Sequence, residues 1–189
     1  MKYSTYAILA CFALLTGCST LSENECRTAD WYQLGIRDGE QGEPASLLNE
    51  HRESCSRYGV QPVEGKYYAG RETGLRQYCR LSNAFRTGLN GEEYKGVCPL
   101  NADSEFRRYN SAALEVHHLK KKIEEIDHQL GSKERELGKK DTPEKDQARL
   151  REEIKKLDRK RDNLRSDLRA QERDLDLLMD EARYRGGRR

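Results

Sequence analysis

Two heptad series separated by a helix-breaking loop constrain this chain more than any other feature. Tyr109, Ala112, Val116, Leu119, Ile123, Ile126, Leu130 and Leu137 recur at alternating spacings of three and four. Leu150, Ile154, Leu157, Leu164, Leu168, Leu175, Leu178 and Ala182 repeat the pattern. That spacing places apolar side chains along one stripe of an α-helix, and such stripes bury themselves against each other. Between the two series stands Gly138-Lys139-Lys140-Asp141-Thr142-Pro143-Glu144. Gly138 suits a helix end, Thr142 an N-cap and Pro143 a first helical position. Folding the chain at Asp141–Thr142 sets Leu130 against Ile154, Ile126 against Leu157, Leu119 against Leu164, Val116 against Leu168 and Tyr109 against Leu175. The expectation is an antiparallel hairpin. Pairing between two molecules is the rival arrangement. Lys133, Arg161 and Gln171 fall at core positions, where a long side chain carries its head to the seam edge.

The amino terminus reads as an address. Met1-Lys2 precedes a mostly apolar run from Tyr3 to Leu15, and Leu15-Thr16-Gly17-Cys18 follows. The run is shorter than a membrane span and has the length of a secretory leader core. The last four residues resemble a bacterial lipobox, which implies a leader over 1–17 and a diacylglyceryl group on the Cys18 sulfur. It also implies an acyl chain, such as palmitate, on the Cys18 amine. Several acyl chains at one point make a durable anchor, at about 0.8 kcal/mol per buried methylene. Ser19 stands where an aspartate would favour the inner membrane, so the resemblance implies the outer membrane, facing the periplasm.

Cys26, Cys55, Cys79 and Cys98 remain after the leader and the anchor. An even set in an exported chain reads as a disulfide framework. Of three possible pairings, Cys26–Cys55 and Cys79–Cys98 are favoured, because sequence neighbours meet most often in a small helical domain. Neither a Cys-x-x-Cys pair nor a histidine at ligand spacing accompanies them, so no metal site is expected. Capping-box spacing at Ser22–Glu25, Pro44 and Gly59 as bounds of a helix over 44–58, a helix over 67–79 and a short one from Ser82 make this region helical. The fold class is therefore all-α. A small disulfide-stapled helical domain (18–102) is followed by a long antiparallel coiled-coil hairpin (103–185) and a basic tail (186–189).

Glycines interrupt two of these helices. Gly35 and Gly39 share the first with Trp31, Leu34 and Asp38; Gly70 and Gly74 share the other with Tyr67, Leu75 and Tyr78. An interior glycine costs a helix about 1 kcal/mol relative to alanine. Close approach of a second backbone explains its presence, so the two helices are expected to cross through their glycine faces. Contact with a ligand is the alternative.

Trp31, Gly35, Asp38, Gly39 and Gly42, then Tyr68, Gly70, Gly74, Leu75, Tyr78 and Cys79, then Gly88, Gly91, Tyr94, Val97, Cys98 and Pro99 resemble the DUF2799 family of proteobacterial lipoproteins. The likeness spans roughly residues 24–115. It implies an envelope location and assigns no activity.

Recognisable catalytic patterns are missing. His51, His117, His118 and His128 form no His-Glu-x-x-His motif and read as helix-surface side chains. Asp38 is the one acid placed for activation by a disulfide-framed cleft, and pairing with an arginine such as Arg71 is its plainer fate. Lys and Arg total 35 against 33 Asp and Glu, a balance unlike that of a nucleic-acid binder. No cofactor is implied. Trp31, Tyr32, Asp38, Tyr67, Tyr68 and Tyr78 form the candidate binding face, although the aromatics also suit a core. The functional expectation is a non-enzymatic lipoprotein held in the membrane through lipid on Cys18. It would bind or scaffold a protein partner through the hairpin. The alternative is an envelope enzyme acting on cell-wall material through Asp38.

Overall fold

The computed structural model describes residues 20–186, with side chains to Tyr184. The expected leader (1–17), Cys18 and tail residues 187–189 lie outside the described residues. Seven helices and no strand occur among those described: α1 (Glu23–Thr28), α2 (Trp31–Glu40), α3 (Leu47–Ser56), α4 (Glu64–Tyr78), α5 (Leu81–Leu89), α6 (Leu100–Leu137) and α7 (Glu144–Gly186).

Local chemistry sets the boundaries. Ser22 and Glu25 complete a capping box on α1, and the Asp30 carboxylate accepts from the Tyr32 and Gln33 amides to start α2. Gly42 ends α2 with a φ of +70°, its amide donating to the Gly39 carbonyl. A left-handed residue there costs glycine nothing. The helix expected over 44–58 is shorter, because Pro44–Ser46 make a turn before Leu47. The helix expected from Tyr67 begins a turn earlier, at Glu64, with the Lys66 and Tyr67 amides donating to the Val63 carbonyl.

The glycine faces meet as expected. A Cβ on Gly70 would sit 2.0 Å from the Tyr32 carbonyl oxygen, and one on Gly35 would sit 2.0 Å from that of Tyr67. Gly39 and Gly74 are as tight, 2.4 Å from the Arg71 oxygen and 2.2 Å from the Ile36 oxygen. The α2–α4 crossing is thus backbone against backbone, and no other residue type fits it.

Both expected disulfides are present. Cys26–Cys55 spans a Cα–Cα distance of 5.4 Å and Cys79–Cys98 one of 5.6 Å. Each braces its own cluster. Leu21, Trp31, Leu34, Leu48 and Tyr67 pack round the first; Leu75, Tyr78, Phe85, Tyr94, Phe106 and Tyr109 pack round the second. In the second, Tyr78 stacks on Phe106 at 5.1 Å and Phe85 on Tyr109 at 4.9 Å. Helix α4 contributes to both clusters and so joins them.

Helix α6 is continuous through two environments. Phe106, Tyr109 and Ala113 belong to the second cluster, whereas Ile123, Ile126 and Leu130 are buried along the arm. Helix α7 folds back antiparallel and returns Leu175 to the second cluster. Ion pairs between the helices run along the hairpin in order: Lys133–Glu153, Arg161–Asp127, Lys120–Glu172 and Arg108–Glu181. Lys133 and Arg161 therefore do carry their charges to the seam edge. Thr142 departs from expectation. Its hydroxyl donates to the Glu136 carbonyl at 2.9 Å, closing the loop onto α6, and α7 starts two residues later.

Candidate functional site

The polar interior of the first cluster is a chain of hydrogen bonds built from four segments. Asp38 lies on the buried side of α2 at 2% exposure, and Tyr67 faces it from α4 at 0%. The Tyr67 hydroxyl donates to Asp38 Oδ2 at 2.9 Å. His51 Nε2 lies 2.8 Å from the same oxygen, and its Nδ1 lies 2.8 Å from Thr20 Oγ1. Thr20 Oγ1 in turn lies 3.2 Å from Ser54 Oγ, which accepts the Thr20 amide at 3.1 Å. An ionised carboxylate only accepts. With Asp38 ionised, Nε2 of His51 carries a proton, and a neutral ring accepts the Thr20 hydroxyl proton at Nδ1. That tautomer follows from the bonding pattern.

The Asp38 charge is balanced locally. Arg37 Nε lies 3.6 Å from Asp38 Oδ1, with the guanidinium half-exposed. Arg71, the expected partner, instead donates to the Glu43 carbonyl, at 2.6 Å from one of its terminal nitrogens. The difference has a geometric cause. Gly70 and Gly74 face α2, and Arg71 reaches along the crossing toward the loop that follows Gly42. Burial pushes the Tyr67 hydroxyl pKa well above its ordinary value, and the hydrogen bond to Asp38 adds to the rise.

His51 corrects the expectation of four surface histidines. It is 2% exposed, and the Tyr67 ring meets its own ring edge-on at 6.0 Å. The signal was available in the sequence. Leu48, His51, Ser54 and Cys55 share one stripe of α3, and all four are buried. His117 also departs from a plain surface role. Its Nδ1 donates to the Leu89 carbonyl at 2.9 Å, and its ring fills the space that a Cβ on Gly91 would need. Thr20, Ser54 and Asn110 were not singled out by sequence. Asn110 is 1% exposed; its Oδ1 accepts the Tyr94 amide, and its Nδ2 donates to Thr87 and to the Glu92 carbonyl. It pins the 90–98 loop to α6.

The six residues of the expected binding face do not share a surface. Trp31, Asp38, Tyr67 and Tyr78 are interior, while Tyr32 and Tyr68 remain exposed at 37% and 44%. Packing explains the split. The helical stripe of α4 that carries Tyr67, Gly70, Gly74 and Tyr78 turns inward, which leaves Tyr68 outside. A separate cleft of about 500 Å³ opens over Tyr78, between Glu43, Arg86, Glu92 and Lys95. Lys95 Nζ bridges both carboxylate oxygens of Glu43, at 2.8 and 2.7 Å. Burial, then the carboxylates of Glu92 and Glu43, raise the Tyr78 hydroxyl pKa.

Among the described residues, no group of three His, Cys, Asp or Glu side chains could hold a metal ion. No described helix is long and apolar enough to cross a membrane. No curated protein and no solved structure matches the chain. Residues 30–115 match the family described as "Protein of unknown function (DUF2799)". That stretch holds Asp38, His51 and Tyr67, the Cys79–Cys98 disulfide, Cys55 of the other disulfide and the α2–α4 crossing, and over it the chain is similar to the DUF2799 family.

Proposed function

We propose that this chain is an outer-membrane lipoprotein facing the periplasm, anchored through lipid on Cys18, and that it acts as a binding or scaffold module with α6–α7 as its docking arm. The observation that carries the reading is the continuity of α6. One helix is fixed at its base by Phe106, Tyr109 and Ala113 and zipped to α7 farther out by Ile123, Ile126 and Leu130. At 1.5 Å per residue its 38 residues extend about 57 Å. A partner held near the tip would keep a defined position relative to the compact base. The arm's exposed ion pairs contribute little stability, so their charges suit recognition.

Photocrosslinking in cells from positions along residues 112–175, followed by mass spectrometry, tests the arm. Discrete protein adducts are expected. Cys18→Ser should abolish incorporation of an alkyne-tagged fatty acid and release the chain from the outer-membrane fraction; unchanged labelling would remove the anchor from the proposal.

A second reading, an envelope enzyme, gains support from one arrangement. Thr20, His51 and Asp38 form a hydroxyl–imidazole–carboxylate chain. If no arm position crosslinks, and Asp38→Asn abolishes a cellular phenotype at undiminished protein level, the enzyme reading takes precedence.

A further inference from the structure

The order of the chain just after the proposed anchor points to the surface that meets the membrane. From Thr20 onward, successive residues are held to the body. The Thr20 amide donates to Ser54 Oγ, and its hydroxyl bonds His51 on α3. Leu21 is buried at 4% in the first cluster. Ser22 caps α1, and Cys26 is tied to Cys55 of α3. A threonine side chain saturated by His51 and Ser54 cannot fray without leaving both partners short of a hydrogen bond.

Chain geometry does the rest. Two residues of polypeptide span at most about 7 Å. A lipid on Cys18 therefore has to enter the bilayer within about that distance of Thr20, whatever path Ser19 takes. A long flexible linker would let the body tumble tens of ångströms from the surface; here there is no such length to use. We infer that the end of the compact domain formed by the Thr20–Ser22 segment, α1 and the C-terminal half of α3 is seated against the phospholipid headgroups. The occupant of this face is the membrane that carries the anchor. The consequence is orientation: the body is held by its own hydrogen bonds at the anchor, so the arm leaves the surface at a restricted angle. This inference rests on acylation of Cys18.

The test uses the full acylated protein in vesicles of phosphatidylethanolamine and phosphatidylglycerol containing a headgroup-photoactivatable phospholipid. Labelled peptides are mapped by mass spectrometry, and the N-terminal peptide is checked for its acyl mass in the same run. Labelling should concentrate on residues 20–28 and 50–57 and spare α5 and the arm. Inserting twelve Gly/Ser residues between Ser19 and Thr20 leaves every hydrogen bond of the body in place. It should cut labelling of those peptides by about threefold or more, because such a tether spreads the body over about 20 Å. An acylated protein labelled evenly over body and arm overturns the seat alone, as does labelling that the linker leaves unchanged. An N-terminal peptide without acyl mass overturns both the seat and the anchor on which it depends.

Discussion

Alanine at Gly70 should destabilise this protein, although alanine is the better helix former. The added Cβ would lie 2.0 Å from the Tyr32 carbonyl oxygen and 2.9 Å from its carbon. Carbon meets a carbonyl oxygen at about 3.3 Å in ordinary contacts, so α2 and α4 would have to separate by about 1.3 Å. Neither obstacle is a side chain that can rotate away. Overpacking of this kind costs about 1–3 kcal/mol. Displacing Tyr67 also stretches its bond to buried Asp38, at about 1–2 kcal/mol. Helix propensity returns about 1 kcal/mol. The net loss is about 1–4 kcal/mol, centred near 2.5 kcal/mol, which corresponds to a melting temperature lower by about 5–10 °C at that centre for a chain of this size. The assay is thermal unfolding followed by circular dichroism, on the mature chain carrying Cys18→Ser with both disulfides intact. Gly131→Ala on α6 is the matched control. The nearest atom there is the far end of Arg135, at 3.4 Å, so the same substitution should stabilise by about 0.5–1 kcal/mol. If both variants melt above the parent, or Gly70→Ala melts with it, the tight backbone crossing is wrong.

Other outcomes follow from the same geometry. Tyr67, Tyr78 and Tyr94 are buried, and burial raises all three hydroxyl pKa values, that of Tyr94 to about 12. A raised folded-state pKa supplies stability that is complete below the unfolded value near 10 and is lost as the pH climbs through the folded value. Tyr94 should then remove up to about 1.4 kcal/mol per pH unit between roughly pH 10 and 12, and Tyr67 and Tyr78 should steepen the loss as the pH rises above about 10. Urea midpoints across that range, compared with those of Tyr94→Phe, measure the slope. His51→Ala takes one hydrogen-bond partner from buried Asp38, which keeps Tyr67, and one from Thr20, which keeps Ser54, and should cost about 1–3 kcal/mol in the same unfolding assay; a neutral effect would show the polar chain to be dispensable. Breaking Cys26–Cys55 by paired serine substitution should cost about 3–4 kcal/mol in the chain-entropy account. Amide exchange should be faster over residues 131–148, which include the loop, than over 112–126; equal protection would contradict the hairpin tip.

The sequence by itself determined the elements that rest on periodicity and on backbone sterics. Heptad spacing from Tyr109 to Ala182, broken at Gly138 and Pro143, leaves a helical hairpin as its simplest outcome. Gly35, Gly39, Gly70 and Gly74, paired at a spacing of four on two helices, pointed to close approach of a second backbone, with ligand contact as the rival. The cysteines paired as neighbours in the chain. What only the tertiary structure decided were the partners of polar groups brought together from distant segments. Asp38 took His51 and Tyr67 instead of Arg71, and Asn110, outside the heptad series, holds the 90–98 loop to α6. The aromatic residues divided between core and surface according to the helical stripe each occupied. Periodicity is a property of one helix, and a sequence displays it. A hydrogen bond between α2, α3 and the segment before α1 is a property of how three elements are placed, and its energy depends on burial that exists only once they have packed.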